Sequence, residues 1–281
     1  MPCKQFEELE QAKAYSLYRP TPPAEILKRI LDYLSKEFNP PFELAVDVGC
    51  GTGQSTLLLA PPFRRVRGFD VSKAQIHEAM TERRADNVEY GLSRGEDLPV
   101  KDLSVQLLTA GTCFHWLHSE SFFEEAKRVL LPGGVLAIYS SWVIYPVTGH
   151  QEKDDFLRQI TDKFLYVDLK NYRSEKVQQL FDEYRNIDFP FEEVTRHRNI
   201  SQKYIGTAAD ACGYIRSMST FQNFRSSNPE AAEQLMQNYQ NNIMDILGVS
   251  SMPEETSLAY QRKYFLILCR KPKYKPNETE P

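Results

Sequence analysis

The chain has 281 residues, of which 41% are hydrophobic, enough apolar material for one large or two small globular cores. Its 34 lysines and arginines against 38 aspartates and glutamates leave a net charge of −4 and a pI near 5.8, which argues against a surface for nucleic acid or anionic membrane. Five widely spaced cysteines without a Cys-x-x-Cys pair argue against a disulfide framework and a structural zinc site, and we expect no metal.

The N-terminal segment and the hydropathy pattern bear on location. Residues 1–15, MPCKQFEELEQAKAY, are polar and charged where a secretory signal has an apolar core. No later run approaches the roughly 18 consecutive apolar residues that a membrane-spanning helix needs. We therefore expect a cytoplasmic protein.

The first half of the chain alternates two apolar patterns. After an amphipathic helix predicted between Pro22 and Phe38, short apolar runs predict strands, and helical spacing follows most of them. The predicted strands are Leu44–Val48, Val66–Phe69, Val88–Tyr90, Val105–Thr109 and Val135–Ser140. The predicted helices between them are Gln54–Ala60, Lys73–Arg83 and Ser119–Leu130. This alternation indicates an α/β fold, a doubly wound parallel sheet covered on both faces.

Beyond Trp142 the alternation ends. The predicted elements there are helices at Lys153–Tyr166 and Ser174–Arg185, a polar strand at Val194–Lys203, helices at Thr207–Met218 and Pro229–Leu247, and an apolar strand at Tyr260–Arg270. No internal repeat links the two halves, so the second half decorates the first within a single domain.

The stretch VDVGCGTGQST, Val46–Thr56, places three glycines in five positions at the end of the first predicted strand. Gly49, Gly51 and Gly53 can take positive φ and let a ligand approach bare backbone at the start of a helix. Because no Gly-Lys-Ser/Thr follows, the loop is not an ordinary P-loop. Its spacing also differs from the G-x-G-x-x-G dinucleotide fingerprint.

A carboxylate in the next strand adds to this signal. Asp70 ends the segment VRGFD, 21 positions after Gly49, where an acidic side chain can accept hydrogen bonds from both hydroxyls of a ribose. The alternative is that Asp70 caps the following helix, although Ser72 is better placed to do so.

Together with GFDVSKAQIHEA, GLSRGEDLPVKDLSVQLLTAGTCFHWL and EEAKRVLLPGGVLAIY, the glycine loop resembles that of the class I S-adenosylmethionine-dependent methyltransferases. The segments AYSLYRPTPP and FHWL are similar to the trans-aconitate methyltransferase-like branch, whose members act on small molecules. The likeness is continuous from about Ala14 to Ser140 and thinner beyond.

The resemblance implies a seven-stranded sheet with six parallel strands and with Tyr264–Cys269 antiparallel beside the fifth. Because such a sheet is covered on both faces, it should bury Val46, Val48, Leu107, Leu108, Leu136 and Ile138. The single methyltransferase domain would comprise a capping arm and helix at 1–40, a cofactor-binding half at 41–141, substrate-side helices and the last strands at 142–270, and a flexible tail at 271–281.

The resemblance also assigns S-adenosylmethionine as the cofactor and residues to hold it. The methionine end would lie against Asp47, Gly49, Gly51 and Gly53, the ribose against Asp70, and the adenine against Val71, Glu96 and Asp97. Tyr18 and Arg19 lie in a segment that closes over the cofactor in similar proteins, or that only anchors the arm.

The acceptor is expected to be a small molecule beside the carboxyl edge of the sheet. His115 could orient it or accept its proton, or simply pack and cap. The other candidates for this pocket are Tyr15, Phe114, Trp116, Trp142, Tyr145 and Arg216. Arg216 could pair with an acceptor carboxylate, or be a surface residue of its helix. A small organic acid methylated on oxygen is the first hypothesis, and a thiol or amine is the second.

Two other functions share parts of this pattern. A nicotinamide dehydrogenase also has a glycine loop and a ribose carboxylate, but its third glycine lies one residue later. A non-catalytic protein that binds S-adenosylmethionine would have the same loop and Asp70.

Overall fold

A β-sheet forms the centre of the computed structural model, which describes residues 9–19, 21–81, 85–141 and 143–273. Its strands are β1 (Phe42–Val48), β2 (Phe63–Asp70), β3 (Val88–Leu92), β4 (Val105–Gly111), β5 (Leu130–Ser141), β6 (Tyr145–Val147), β7 (Glu192–Thr207) and β8 (Ser257–Arg270). The α-helices are α1 (Leu9–Tyr18), α2 (Ala24–Leu34), α3 (Gln54–Leu58), α4 (Lys73–Thr81), α5 (Ser119–Val129), α6 (Gln151–Asp162), α7 (Glu175–Phe181), α8 (Ala208–Arg216), α9 (Ser219–Ser227) and α10 (Pro229–Leu247).

The strand order confirms the predicted doubly wound α/β fold. Strands β3, β2, β1, β4 and β5 are parallel neighbours in that order, and β8 runs antiparallel to β5. On its other edge β8 pairs antiparallel with β7, which therefore runs in the same direction as the first five strands. Strand β6 is also antiparallel to β8, so seven strands in the described ranges run in one direction, where six were expected, and the antiparallel β8 beside β5 matches the expectation.

The sheet has eight strands in the described ranges, where seven were expected. Residues Tyr264–Arg270 of β8 pair with β5, which leaves the first part of this 14-residue strand without a partner on that side. Tyr145–Val147 fills the gap by pairing with Ala259–Gln261. The extra strand β6 thus continues the edge of β5 after a short interruption.

The core lies on both faces of this sheet. All six residues predicted to be buried in the central strands are at most 1% exposed. On one face five of them pack with Phe122 and Ala126 of α5, and on the other Leu107 packs with Ile26 and Ile30 of α2. A further cluster joins α6, α8 and α10 beside the sheet. No helix in residues 9–273, within the parts described, is long and apolar enough to cross a membrane.

Several predicted boundaries in the second half are wrong. The helix predicted to reach Arg185 ends at Phe181, because Glu183 and Tyr184 both take φ near +53°. The helix predicted to reach Tyr166 becomes a π-helical segment at Lys163–Asp168. Helix α9 was not predicted. The polar strand is confirmed as β7, and α10 spans the predicted residues.

The order of the parallel strands reverses between β1 and β4. Strand β2 lies on one side of β1 and the later strand β4 on the other, so the connections leave this point in opposite directions. Such a reversal opens a crevice at the carboxyl ends of the strands. Here Val48, Gly111 and Ser141 end β1, β4 and β5 at that edge.

Replacing Leu108 by alanine tests how much the central strands stabilise the fold. Leu108 is fully buried in β4 between Val46 and Leu136. We expect Leu108→Ala to lower the free energy of unfolding by about 2–5 kcal/mol, the range for a large-to-small change in a packed core. Met252→Ala, at a side chain 61% exposed, is the control and should change it by less than about 0.5 kcal/mol. Chemical denaturation measures both.

Candidate active site

The glycine loop after β1 contains three glycines with positive φ, of which Gly49 and Gly51 line the glycine-loop side of the crevice. Gly49 has φ +61°, and an added Cβ would lie 2.6 Å from Cβ of Cys113. Gly51 has φ +55°, and its N–H donates a 3.0 Å hydrogen bond to the carboxylate of Asp70. A side chain at Gly49 would collide with Cys113, and the positive φ disfavours one at Gly51, so both positions leave open backbone facing the crevice.

Asp70 connects this loop to the start of α4. One carboxylate oxygen accepts the Gly51 N–H, and the other accepts the Ser72 N–H at 2.9 Å. The hydroxyl oxygen of Ser72 accepts the Gln75 N–H at 3.2 Å, so Ser72 caps the helix. The capping role considered for Asp70 thus belongs to Ser72, and Asp70 lines the crevice.

Three clefts adjoin along the carboxyl edge of the sheet. The glycine-loop cleft, of about 710 Å³, is lined by residues that include Gly49, Gly51, Asp70, Val71, Ser93 and Gly95. The His115 cleft, of about 790 Å³, is lined by residues that include Arg19, His115, Arg173, Phe181, Tyr214 and Thr220. The Asp47 cleft, of about 530 Å³, is lined by residues that include Arg19, Asp47, Gln54, Ser55, Arg262 and Tyr264. Tyr15 and Thr112 line all three, so the clefts meet at these side chains.

Asp47 is a buried carboxylate at the bottom of its cleft. It is 1% exposed and accepts hydrogen bonds from the hydroxyls of Thr56 at 2.7 Å and Thr109 at 2.6 Å. Burial raises its pKa to about 6, against the opposing effect of these hydrogen bonds. Among the described residues, no cation lies within salt-bridge distance of Asp47. A cationic ligand would therefore supply the missing counter-charge.

His115 is a buried neutral imidazole at the wall of its cleft. It is 5% exposed, and its Nδ1 lies 3.0 Å from the hydroxyl of Tyr184. Burial lowers its pKa to about 3, and the positive charges of Lys176 and Arg19 lower it further. A group with so low a pKa is a weak proton acceptor at neutral pH, which favours hydrogen bonding over proton abstraction.

Two arginines face the His115 cleft. The Nε of Arg19 donates to the Ser217 hydroxyl at 2.9 Å, and its guanidinium stacks on Tyr15 and Tyr214. Arg173 donates to the Leu165 carbonyl at 2.9 Å and stacks on aromatic rings. Within the described ranges neither arginine has a carboxylate within salt-bridge distance.

The structure brings together many of the predicted site residues at these clefts. Those that line at least one cleft are Tyr15, Arg19, Asp47, Gly49, Gly51, Asp70, Val71, His115 and Trp116. Trp116 lines both the glycine-loop cleft and the His115 cleft, so it stands between them.

Three predicted acceptor residues lie elsewhere. Phe114 is 2% exposed and packs among aromatic core side chains. The Tyr145 hydroxyl donates to Asp162 at 2.7 Å beside a separate cavity. Arg216 forms a bidentate ion pair with Glu233 at 2.7 and 2.6 Å and is absent from the residues that line the His115 cleft. The fourth, Trp142, lies outside the described residues.

Four predicted cofactor residues also do not line the clefts. The ring of Tyr18 packs directly on Gly213 of α8, which fits the anchoring alternative. Gly53 is the N-cap of α3 and packs against Tyr90. In the turn after β3, Glu96 accepts the His118 backbone N–H at 2.9 Å, and Asp97 is exposed.

Other residues at the clefts were not predicted. Ser93 and Gly95 belong to the same turn after β3 as Glu96. Choosing the residues of this turn that lie nearer to the end of β3 would have identified them. Thr112 and Ser141 mark the carboxyl ends of β4 and β5, the edge where ligands were already expected. Arg173 and Arg262 come from the second half, where the sequence carried no signal for them.

Comparison with known proteins identifies the family. A family model of a methyltransferase domain matches residues 46–138. A protein of Dictyostelium discoideum that is named as a methyltransferase is 32% identical over 234 residues, covering 81% of this chain and 84% of the relative. The chain belongs to the class I S-adenosylmethionine-dependent methyltransferases. It is an enzyme, and its cofactor is S-adenosylmethionine.

Two further similarities cover much of this methyltransferase. A Saccharomyces cerevisiae protein described as an S-adenosylmethionine-dependent methyltransferase is 27% identical over 184 residues, covering 60% of this chain and 62% of the relative. The structure of a type II methyltransferase from Anaeromyxobacter dehalogenans matches with a TM-score of 0.73 at 23% identity, over 92% of this chain and 100% of that one. The last similarity shows the same fold. None of these relatives is named as a trans-aconitate methyltransferase, so that branch remains a resemblance of the sequence.

The clefts fit the groups that S-adenosylmethionine carries. Asp47 could hold its ammonium, since the carboxylate is buried without a cation among the described residues. Asp70 could accept hydrogen bonds from the ribose hydroxyls. The bare backbone at Gly51 leaves a space beside the Tyr15 ring, where an added Cβ would lie 3.4 Å from the nearest ring atom. No three His, Cys, Asp or Glu side chains in the described parts of the methyltransferase come together as a metal site.

The raised pKa of Asp47 predicts that cofactor affinity depends on pH. As pH falls through about 6, the free enzyme protonates Asp47 and loses the negative charge that an ammonium needs. We expect the Kd of S-adenosylhomocysteine, measured by titration calorimetry, to rise about tenfold per pH unit below that point. Asp47→Asn should bind weakly and without this slope. Parallel pH profiles for the two proteins would contradict the assignment.

Proposed function

We propose that the methyltransferase methylates an oxygen of a small carboxylic acid that binds in the His115 cleft. The observation that carries this proposal is the charge of the cleft. Arg19 and Arg173 line it, and no aspartate or glutamate does among the described residues at its wall. A cleft with two arginines and no carboxylate favours an anionic acceptor.

Arg173 is the better candidate for recognising a carboxylate. Its guanidinium is partly buried between Tyr166 and Phe181, at 5.1 and 4.7 Å from the ring centroids. Burial lowers its pKa, and within the described ranges no carboxylate lies within salt-bridge distance of it. Arg216, the first choice from sequence, already forms a bidentate ion pair with Glu233. We therefore assign this role to Arg173 instead.

The remaining residues of the cleft suit an in-line transfer. S-adenosylmethionine supplies a methyl group activated by its sulfonium. Trp116 lies between the glycine-loop cleft and the His115 cleft, and Val177, Leu180 and Phe181 form an apolar wall that excludes water. The protein has chiefly to hold the acceptor oxygen in line. A carboxylate needs no base, which agrees with the neutral, weakly basic His115.

The relatives' names do not determine the acceptor. A malonyl-[acyl-carrier protein] O-methyltransferase of Hahella chejuensis is 38% identical over 96 residues, 32% of this chain and 34% of the relative. A demethylmenaquinone methyltransferase of Tropheryma whipplei is 35% identical over 98 residues, 34% of this chain and 41% of the relative. An O-methyltransferase is consistent with the proposal, but the charge of the cleft is its main support.

An acceptor panel with matched arginine variants tests the proposal. We expect methyl transfer from labelled S-adenosylmethionine to butyrate or benzoate, and little to butanethiol or butylamine, which match butyrate in size. Arg173→Met should raise the KM of the carboxylate by about ten- to a hundredfold, since a hydrogen bond to a charged group contributes about 1.5–3 kcal/mol. Arg216→Met, the control, should leave that KM unchanged.

Two results would contradict the carboxylate hypothesis. One is turnover of the thiol or the amine alone. The other is equal activity of the two arginine variants on a carboxylate. Cofactor affinity, measured for both variants with S-adenosylhomocysteine, separates loss of the acceptor site from loss of the fold.

A further inference from the structure

A strained turn follows α7. Glu183 and Tyr184 are consecutive residues with φ near +53°, a region that residues with large side chains rarely adopt. Two such residues in succession persist only where surrounding contacts hold them. The turn therefore has a specific support.

Arg196 of β7 provides that support. Its Nη1 donates to the carbonyl of Glu183 at 3.0 Å, and its Nη2 donates to the carbonyl of Tyr184 at 3.1 Å. The Glu183 carboxylate forms an ion pair with Arg198, from the same strand. The planar fork of one guanidinium thus fixes both strained peptides to the edge of the sheet.

The turn places the Tyr184 side chain beneath His115. Tyr184 is 1% exposed, and its ring packs edge-on against Phe114 and Phe265, with centroids at 4.9 and 5.5 Å. Its hydroxyl lies 3.0 Å from Nδ1 of His115. Since His115 lines the acceptor cleft and Nδ1 is turned to Tyr184, the ring nitrogen left for the cleft is Nε2.

The burial of Tyr184 decides which ring nitrogen carries the hydrogen. A buried hydroxyl needs an acceptor for its hydrogen, and in the described part of the chain Nδ1 of His115 is the acceptor within reach. If Nδ1 carried the hydrogen, the Tyr184 O–H would be left without an acceptor. Burial raises the pKa of Tyr184, so the phenol keeps its proton. Nδ1 therefore accepts, and the neutral ring carries its hydrogen on Nε2.

We propose that Tyr184 is a positioning residue that holds His115 as the Nε2–H tautomer, so that this N–H donates to the anionic acceptor oxygen. The identity of the acceptor rests on the proposed function, whereas the tautomer does not. His115 then favours acceptors whose reacting atom is negatively charged and carries no proton. Acceptors that must lose a proton gain nothing from this residue.

Nitrogen NMR of the ¹⁵N-histidine-labelled enzyme tests the tautomer directly. Two-bond ¹H–¹⁵N correlations distinguish Nε2–H from Nδ1–H, and the loss of one of the five histidine signals in His115→Gln assigns the residue. We expect Nε2–H in the wild-type enzyme at pH 7. An Nδ1–H ring there overturns the proposal, whatever the acceptor is.

Tyr184→Phe tests the cause, because it keeps the packed ring and removes the O–H. We expect a mixture of the two tautomers in this variant, and kcat/KM for the carboxylate of the panel to fall about twofold, in proportion to the fraction of rings that still carry Nε2–H. The affinity for S-adenosylhomocysteine should not change. An unchanged tautomer with unchanged kcat/KM shows that Tyr184 does not position His115.

Tyr239→Phe is the matched control. It removes another buried hydroxyl, which lies 2.9 Å from the Thr161 hydroxyl and outside the His115 cleft. We expect it to keep the His115 tautomer and the activity. If no carboxylate is methylated but Tyr184→Phe still shifts the tautomer, the proposed acceptor is wrong and the positioning role stands. If Tyr184→Phe does not fold, the wild-type spectrum still decides.

Discussion

A single buried carboxylate ties together the parts of the active site. Asp47 accepts the hydroxyl of Thr56 in α3 and that of Thr109 in β4, so the glycine loop between β1 and α3 is fixed to the neighbouring strand. A carboxylate away from water is costly unless hydrogen bonds and a counter-charge compensate. The two hydroxyls supply the hydrogen bonds within the protein, and the ammonium of S-adenosylmethionine could supply the counter-charge. Stability of the site and affinity for the cofactor are thus linked through one residue.

The charges of the clefts are arranged in a complementary way. The negative groups, Asp47 and Asp70, lie at the carboxyl ends of β1 and β2, where the chain reverses its direction across the sheet. The positive groups at the His115 cleft are Arg19, which directly follows α1 and also lines the Asp47 cleft, and Arg173, from the segment before α7. One surface therefore suits a cation and a diol, and the other suits an anion. Tyr15 and Trp116 separate them with aromatic rings.

The first half of the fold could be predicted because its signals are local. Apolar strands, turn glycines and a carboxylate at a strand end each depend on a few neighbouring residues, and Gly49, Gly51 and Asp70 line the glycine-loop cleft. The second half depends on contacts between distant segments. Arg216 and Arg173 look alike in the sequence, and only the ion pair with Glu233 distinguishes them. Likewise, the sequence pattern predicts that Tyr184 is helical, whereas in the structure Arg196 holds it in another conformation.

The last strand has a consequence for how the molecule is made. Strand β8 is one continuous segment that pairs with β5, β6 and β7, all from earlier in the chain. Until residues 257–270 leave the ribosome, the edges of β5 and β7 have no strand between them. A nascent chain would therefore expose the edge of the buried strand β5 from the time this strand is made until β8 is made, a state prone to pair with other chains. Such non-local pairing also slows folding. Completion of the central sheet therefore waits for a segment that is made after all of its partner strands.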